Sequence, residues 1–161
     1  MKIAECMTRD VSTVRPGQSI QEAAQLMADL DTGVLPVQDG DRLVGMITDR
    51  DIVVRALCSG KAPGSPVADA MTREVKYCYE DEGVEQVARF MGDLQVRRLP
   101  VLSRDKRLVG IVTLGDLAGA AGRDDVIGET LADISRTGGL HSQSQDRSPA
   151  PRARPGDSAR H

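Results

Sequence analysis

The chain has 161 residues, 40% of them hydrophobic and only 2% aromatic, with a formal net charge of −3. That length allows one ordinary domain or two small ones sharing a core. The scarcity of rings argues against the stacking platforms that hold extended single strands, and the negative balance argues against a general binder of nucleic-acid backbone.

In chain order, "MKIAECMTRD" (1–10) has no apolar signal core. No run reaches the ~18 apolar residues of a membrane span, so a soluble cytoplasmic protein is expected. A short strand is predicted near Ser12–Val14. Ser19 with Glu22 three residues on forms a capping box for a helix carrying Ile20, Ala23, Ala24, Met27 and Leu30 on one face. "VLPV" (34–37) and "RLVGMIT" (42–48) read as two strands across a polar turn. A second helix begins in "DRDIVVRAL" (49–57). "CSGKAPGSP" (58–66) reads as a linker, with Ser65 and Pro66 as N-cap and first-turn residues of a brief helix.

The chain then repeats itself. "SIQEAAQLMADLDTGVLPV" (19–37) aligns without gaps on "GVEQVARFMGDLQVRRLPV" (83–101), with seven of nineteen positions identical. After one inserted turn residue, "RLVGMITDRDI" (42–52) matches "RLVGIVTLGDL" (107–117) at six of eleven. "CMT" (6–8) and "AMT" (70–72) open the two copies, and the second has its own strand near Lys76–Cys78 and a helix on Val84, Val87, Ala88, Met91 and Leu94. Such density means duplication. Each copy is too small to bury a core alone and is completed by its twin. The expected fold is α/β (α+β): two β-α-β-β-α repeats, over 1–60 and 69–136, joined by a linker at 61–68. Residues 124–135 would add an amphipathic turn or two. From 137 the composition turns to Gly, Ser, Pro and Arg, so 137–161 is expected to be disordered. That tail carries four arginines against two aspartates, +2, which leaves −5 on the body.

The residues spared in both copies form G-x-x-T-x-x-D: Gly45, Thr48, Asp51 and Gly110, Thr113, Asp116. Two readings stay open. In the first, Thr and Asp merely cap a helix and Gly permits close packing across a pseudo-twofold axis. In the second, a strand-end Thr beside a helix N-terminus holds phosphate. Asp accepts both hydroxyls of a ribose, and Gly lets the ligand approach.

Paired β-α-β-β-α repeats with "MT" openings, an "LPV" strand and this motif before the last helix resemble a tandem cystathionine-β-synthase (CBS) domain pair, or Bateman module, over roughly residues 1–121. "TDRDIV" and "QVRRLPV" are most similar to stand-alone bacterial pairs of the hypoxic-response-protein type. The resemblance implies two clefts between the halves that take AMP, ADP, ATP or another adenosine derivative, with no cofactor required. Asp51 and Asp116 would hold ribose, and Thr48 and Thr113 would contact phosphate or ribose. Backbone near Thr13-Val14 and Tyr77-Cys78 would line the base pocket, with Pro36 and Pro100 at the cleft wall. A disk-like homodimer is also implied.

The copies differ in charge. Arg50 stands inside the first motif, where the second has Gly115; Arg97 and Arg98 precede the second Leu-Pro, where the first copy has Gly33 and Val34. These arginines either gather on a polyphosphate in one cleft or are solvated surface residues, and one stronger and one weaker site are expected. His141 and His161 lie in the tail, so no folded metal site is expected. Cys6, Cys58 and Cys78 read as small buried hydrophobes, not as ligands or a disulfide framework. "EDE" (80–82) reads as a solvated helix start and Met7 and Met71 as core. No nucleophile elbow, P-loop or paired carboxylates appear, so no enzyme is expected. The expected function is a regulatory module that senses an adenine nucleotide and acts in trans on a protein partner. The alternative is a ligand-free dimeric scaffold with a stress-response role. Nucleic-acid binding through the +2 tail is a weaker third.

Overall fold

The computed structural model describes residues 1–121 together with 128, 129 and 131. The expected tail, 137–161, lies outside the described residues; of the extension before it, Gly128, Glu129 and Leu131 are helical. Helix α1 (Ile20–Leu30) buries Ile20, Ala23 and Met27, while Ala24 and Leu30 of its expected face are exposed. Strands β1 (Val34–Asp39) and β2 (Arg42–Thr48) make an antiparallel hairpin with a bulge between Val37 and Gln38. A short α2 (Asp49–Asp51) runs directly into a π-helical stretch, Ile52–Leu57, in which Cys58 N–H donates to the Val53 carbonyl five residues back.

The second copy repeats the plan. β3 (Cys78–Tyr79) runs parallel to β4 (Arg98–Leu102), which pairs antiparallel with β5 (Leu108–Thr113) and carries a bulge at the matching place, between Val101 and Leu102. The strand expected near Ser12–Val14 is reduced to a single bridge, Val14 to Val37. Helix α3 (Val84–Leu94) buries Val84, Val87, Ala88 and Met91, and α4 (Leu114–Ala121) follows β5. Both long helices end on a left-handed residue at equivalent positions, Asp31 and Gln95. No helix among the described residues is long and apolar enough to cross a membrane.

The capping box expected at Ser19 forms by half. Ser19 Oγ accepts from Glu22 N–H at 3.0 Å, but the Glu22 carboxylate takes the Gln18 amide instead. The remaining donors of α1 are met by the inter-repeat segment: Ile20 N–H donates to Ser65 and Gln21 N–H to Pro63. Such donors at a helix start need a partner. The brief helix after this segment, Val67–Asp69, has Pro66 rather than Ser65 as its cap.

Each copy's opening residues dock on the other copy. Thr8 and Ile111 exchange both backbone hydrogen bonds, as do Thr72 and Met46. Ile3 is wholly buried in a core with Val87, Met91, Leu99 and Leu117 of the second copy. Val67, Ala70 and Met71 complete the core of Ile20, Met27, Leu35 and Ile47 in the first. The two small cores are thus stapled to each other by exchanged segments. This supplies the apolar area that neither copy of about 60 residues buries alone.

Candidate functional site

Where β2 meets α2, and again where β5 meets α4, the chain forms the same corner. Thr48 Oγ1 accepts from Asp51 N–H at 3.0 Å while Thr48 N–H donates to Asp51 Oδ2 at 3.0 Å. Thr113 and Asp116 do the same at 3.2 and 2.8 Å. These are reciprocal capping boxes with Asp in the usual Glu position. Each uses one oxygen of its carboxylate and leaves the Thr hydroxyl proton to be donated elsewhere.

The corners differ beyond that. Asp51 is 8% exposed, and its Oδ1 lies 3.7 Å from Arg55 Nε. Asp116 is half-buried, and its Oδ1 takes no hydrogen bond among the described residues. Each corner is closed by a backbone bond from the start of its own hairpin: Asp49 N–H donates to Gly33, and Leu114 N–H to Arg97. Arg98 is the ladder partner of Thr113, which sets Arg97 and Arg98 at the second corner; Arg50 follows Asp49 at the first and is exposed.

Gly45 and Gly110 lie against the exchanged openers. A Cβ on Gly45 would stand 2.7 Å from the Thr72 carbonyl oxygen and 2.8 Å from Met71 Sδ. On Gly110 it would meet Thr8 oxygen and Met7 Sδ, both at 2.8 Å. That side of each glycine is filled by the exchanged opener, as the close-packing reading of these residues expects. Pro36 and Pro100 are buried inside their strands. At Val14 both backbone groups are used in pairing: N–H donates to Pro36 and the carbonyl accepts from Gln38. Thr13 is half-buried, its hydroxyl donating to Gln38 Oε1 at 3.0 Å.

Tyr77 is half-buried and Cys78 is buried. Burial pushes the Cys78 thiol up to about 12, and burial together with the Asp116 charge raises that of Cys6, so neither is a ready thiolate. "EDE" forms the turn into α3: Glu82 accepts from Tyr79 N–H, and Asp81 pairs with Arg104 at 2.9 Å. Tyr77 and Tyr79 lie edge to face at 5.5 Å. Lys106 Nζ donates to the Tyr77 hydroxyl at 2.7 Å, and Arg104 stacks 4.1 Å above the Tyr79 ring. A cavity of ≈ 910 Å³ opens beside this cluster, lined by Tyr77, Tyr79 and Phe90; of the expected site residues only Tyr77 borders it. Among the described residues no three His, Cys, Asp or Glu side chains gather as a metal set.

Comparison with known proteins gives two matches to the CBS domain family, over residues 3–57 and 67–123. Hypoxic response protein 1 of Mycobacterium tuberculosis is 40% identical over 116 residues, 71% of this chain and 80% of that protein. A crystal structure of Hypoxic Response Protein I with two coordinated zinc ions aligns with TM-score 0.67 at 36% identity, covering 74% of this chain and 98% of that one. CBSX2 in complex with AMP aligns with TM-score 0.66 at 30% identity, over 74% and 95% of the two chains. The CBS domain pair of MJ0100, in complex with 5-methylthioadenosine and S-adenosyl-L-methionine, aligns with TM-score 0.65 at 32%, over 76% and 96%.

Proposed function

The chain belongs to the CBS domain family, and from that premise we propose that it is a regulatory module sensing an adenosine-containing ligand of the AMP, ADP or ATP class. The observation that carries this reading is the pair of equivalent Thr-x-x-Asp corners, above all Asp116, whose second carboxylate oxygen takes no hydrogen bond among the described residues. Two ribose hydroxyls would donate to that oxygen, and the Thr113 hydroxyl would donate to phosphate or ribose. Arg97 and Arg98 add positive charge at the same corner. That CBSX2 was solved with AMP and the MJ0100 pair with two adenosine derivatives supports the ligand class.

Because the openers tie each copy to the other, a ligand held at a corner acts on both. It shifts their arrangement only by its differential affinity for the two states; a tenfold preference supplies about 1.4 kcal/mol, enough to tune an output. That output acts in trans on a protein partner. The exposed apolar side chains of Leu30, Val53, Val54 and Leu57 support assembly as a homodimer.

A ligand-free scaffold is the competing reading, favoured by one fact: the capping boxes alone account for both Thr–Asp pairs. Thermal melts with AMP, ATP and S-adenosylmethionine separate the two. A ligand at 100 times its dissociation constant adds about 2.7 kcal/mol, and this gain is expected to shrink in Asp116→Asn, which can keep the cap. Unmoved melts with all three compounds would leave the scaffold standing.

A further inference from the structure

Between the tips of the two hairpins lies a second cavity, of ≈ 260 Å³, away from both corners. Its walls are Leu43, Val44, Val75 and Leu102, and its polar lining is Arg42, Arg73, Lys106 and Tyr77. Three cations thus converge with no carboxylate among the lining residues. Asp41, next to Arg42 in the chain, is directed at Arg107 at 3.0 Å and so does not neutralise the group.

Lys106 is held in place from several sides. It sits on a left-handed turn residue, φ 65°, bonds the Tyr77 hydroxyl at 2.7 Å, and lies 5.1 and 5.9 Å from the centres of the Tyr77 and Tyr79 rings. The same turn is clamped by Arg104 on the Tyr79 ring and Asp81. A cation fixed in advance loses less entropy when it meets an anion.

The duplication supplies an internal control. Matching positions in the other half are Arg107 for Arg42, Arg9 for Arg73, Thr13 for Tyr77, Gln38 for Leu102 and Asp41 for Lys106. There the carboxylate of Asp41 already pairs Arg107, and Thr13 is bonded to Gln38. One half therefore carries an all-cationic pocket, while at the twin positions the acid that replaces Lys106 already pairs an arginine.

We propose that the Arg42–Arg73–Lys106 cavity binds a small phosphate polyanion, one per chain, spanning the hairpin of the first repeat and the turn of the second. Its size suits a pyrophosphate or a sugar phosphate better than a whole nucleotide. The site does not rest on the adenosine reading, since none of Thr48, Asp51, Thr113 and Asp116 lines it.

The test titrates the full chain with inorganic pyrophosphate by calorimetry and by tyrosine emission, which Tyr77 and Tyr79 alone supply in a chain without Trp. One site per chain is expected, with a change in emission. Losing one charge-assisted contact in Arg73→Gln or Lys106→Gln weakens binding about tenfold or more. Arg9→Gln, at the twin position, leaves affinity unchanged, and Asp41→Lys adds a second site. Asp51→Asn with Asp116→Asn also leaves pyrophosphate binding intact, which separates this site from the corners. Absence of binding, equal losses in Arg9→Gln and Arg73→Gln, or loss in the double Asp variant would each overturn the proposal.

Discussion

In the first copy the corner carboxylate, Asp51, is buried, faces Arg55 at 3.7 Å and opens a helix that slackens into π winding; in the second, Asp116 is half-buried at the start of a regular α4. Around these corners the contacts between copies are nearly identical: Gly45 against Thr72 and Met71, Gly110 against Thr8 and Met7. Identity is therefore kept where the copies hold each other. Divergence gathers instead at the second corner and around the turn of the second hairpin: Arg97 and Arg98 against Gly33 and Val34, Lys106 against Asp41, Tyr77 and Tyr79 against Thr13 and Arg15.

The sharpest way to break the shared part is to empty an exchanged contact. Ile3→Ala removes a wholly buried side chain from the second core and is expected to cost about 3 kcal/mol. Urea denaturation measures this, and a loss well under 1 kcal/mol would mean the opener is not docked. Next in size, Gly110→Ala forces a methyl against a backbone oxygen at 2.8 Å, and overpacking of this kind costs about 2 kcal/mol. Gly45→Ala should match it within error, because its clash is the same. A marked inequality between the two would break the proposed equivalence of the copies.

The corners should then separate. Asp116→Ala loses a cap, worth about 1 kcal/mol. Asp51→Ala loses the cap and also strips Arg55 of a buried partner, so a larger loss is expected in the same melts. Equal losses would show that burial of Asp51 carries no added weight. The smallest effect is acid-specific. Arg104 holds the Asp81 carboxyl below its ordinary range, so the unfolded chain binds that proton more tightly. The pair's contribution is present above about pH 4 and is lost as pH falls through the carboxylate range. Arg104→Gln should lower stability slightly near neutrality and lose that difference below the carboxylate range, which flattens the profile there and which melts across pH would reveal.

Much of this was legible because duplication writes the fold twice. The helices, hairpins and Thr–Asp boxes follow from local spacing, and the two bulges fall at matching positions. The exchange of openers was not legible, since Thr8 with Ile111 and Thr72 with Met46 are non-local pairings that no periodicity encodes. For the same reason no spacing foretells that Met71 packs on Gly45 and Met7 on Gly110. Ser19 with Glu22 read as a full box, yet Gln18 competed for the carboxylate and the inter-repeat carbonyls took over the helix donors. The convergence of Arg42, Arg73 and Lys106 was not legible either, because it depends on two hairpin tips meeting. The visible trace was arginine at equivalent places in both copies, Arg42 with Arg107 and Arg9 with Arg73.

The most direct measurement is a calorimetric titration of the full chain with AMP and with ATP, repeated on Asp116→Asn and Asp51→Asn. Unequal binding is predicted: one tighter site lost with Asp116, and a weaker or absent site at Asp51. Two equal and independent sites, or heats unaffected by either substitution, would contradict it.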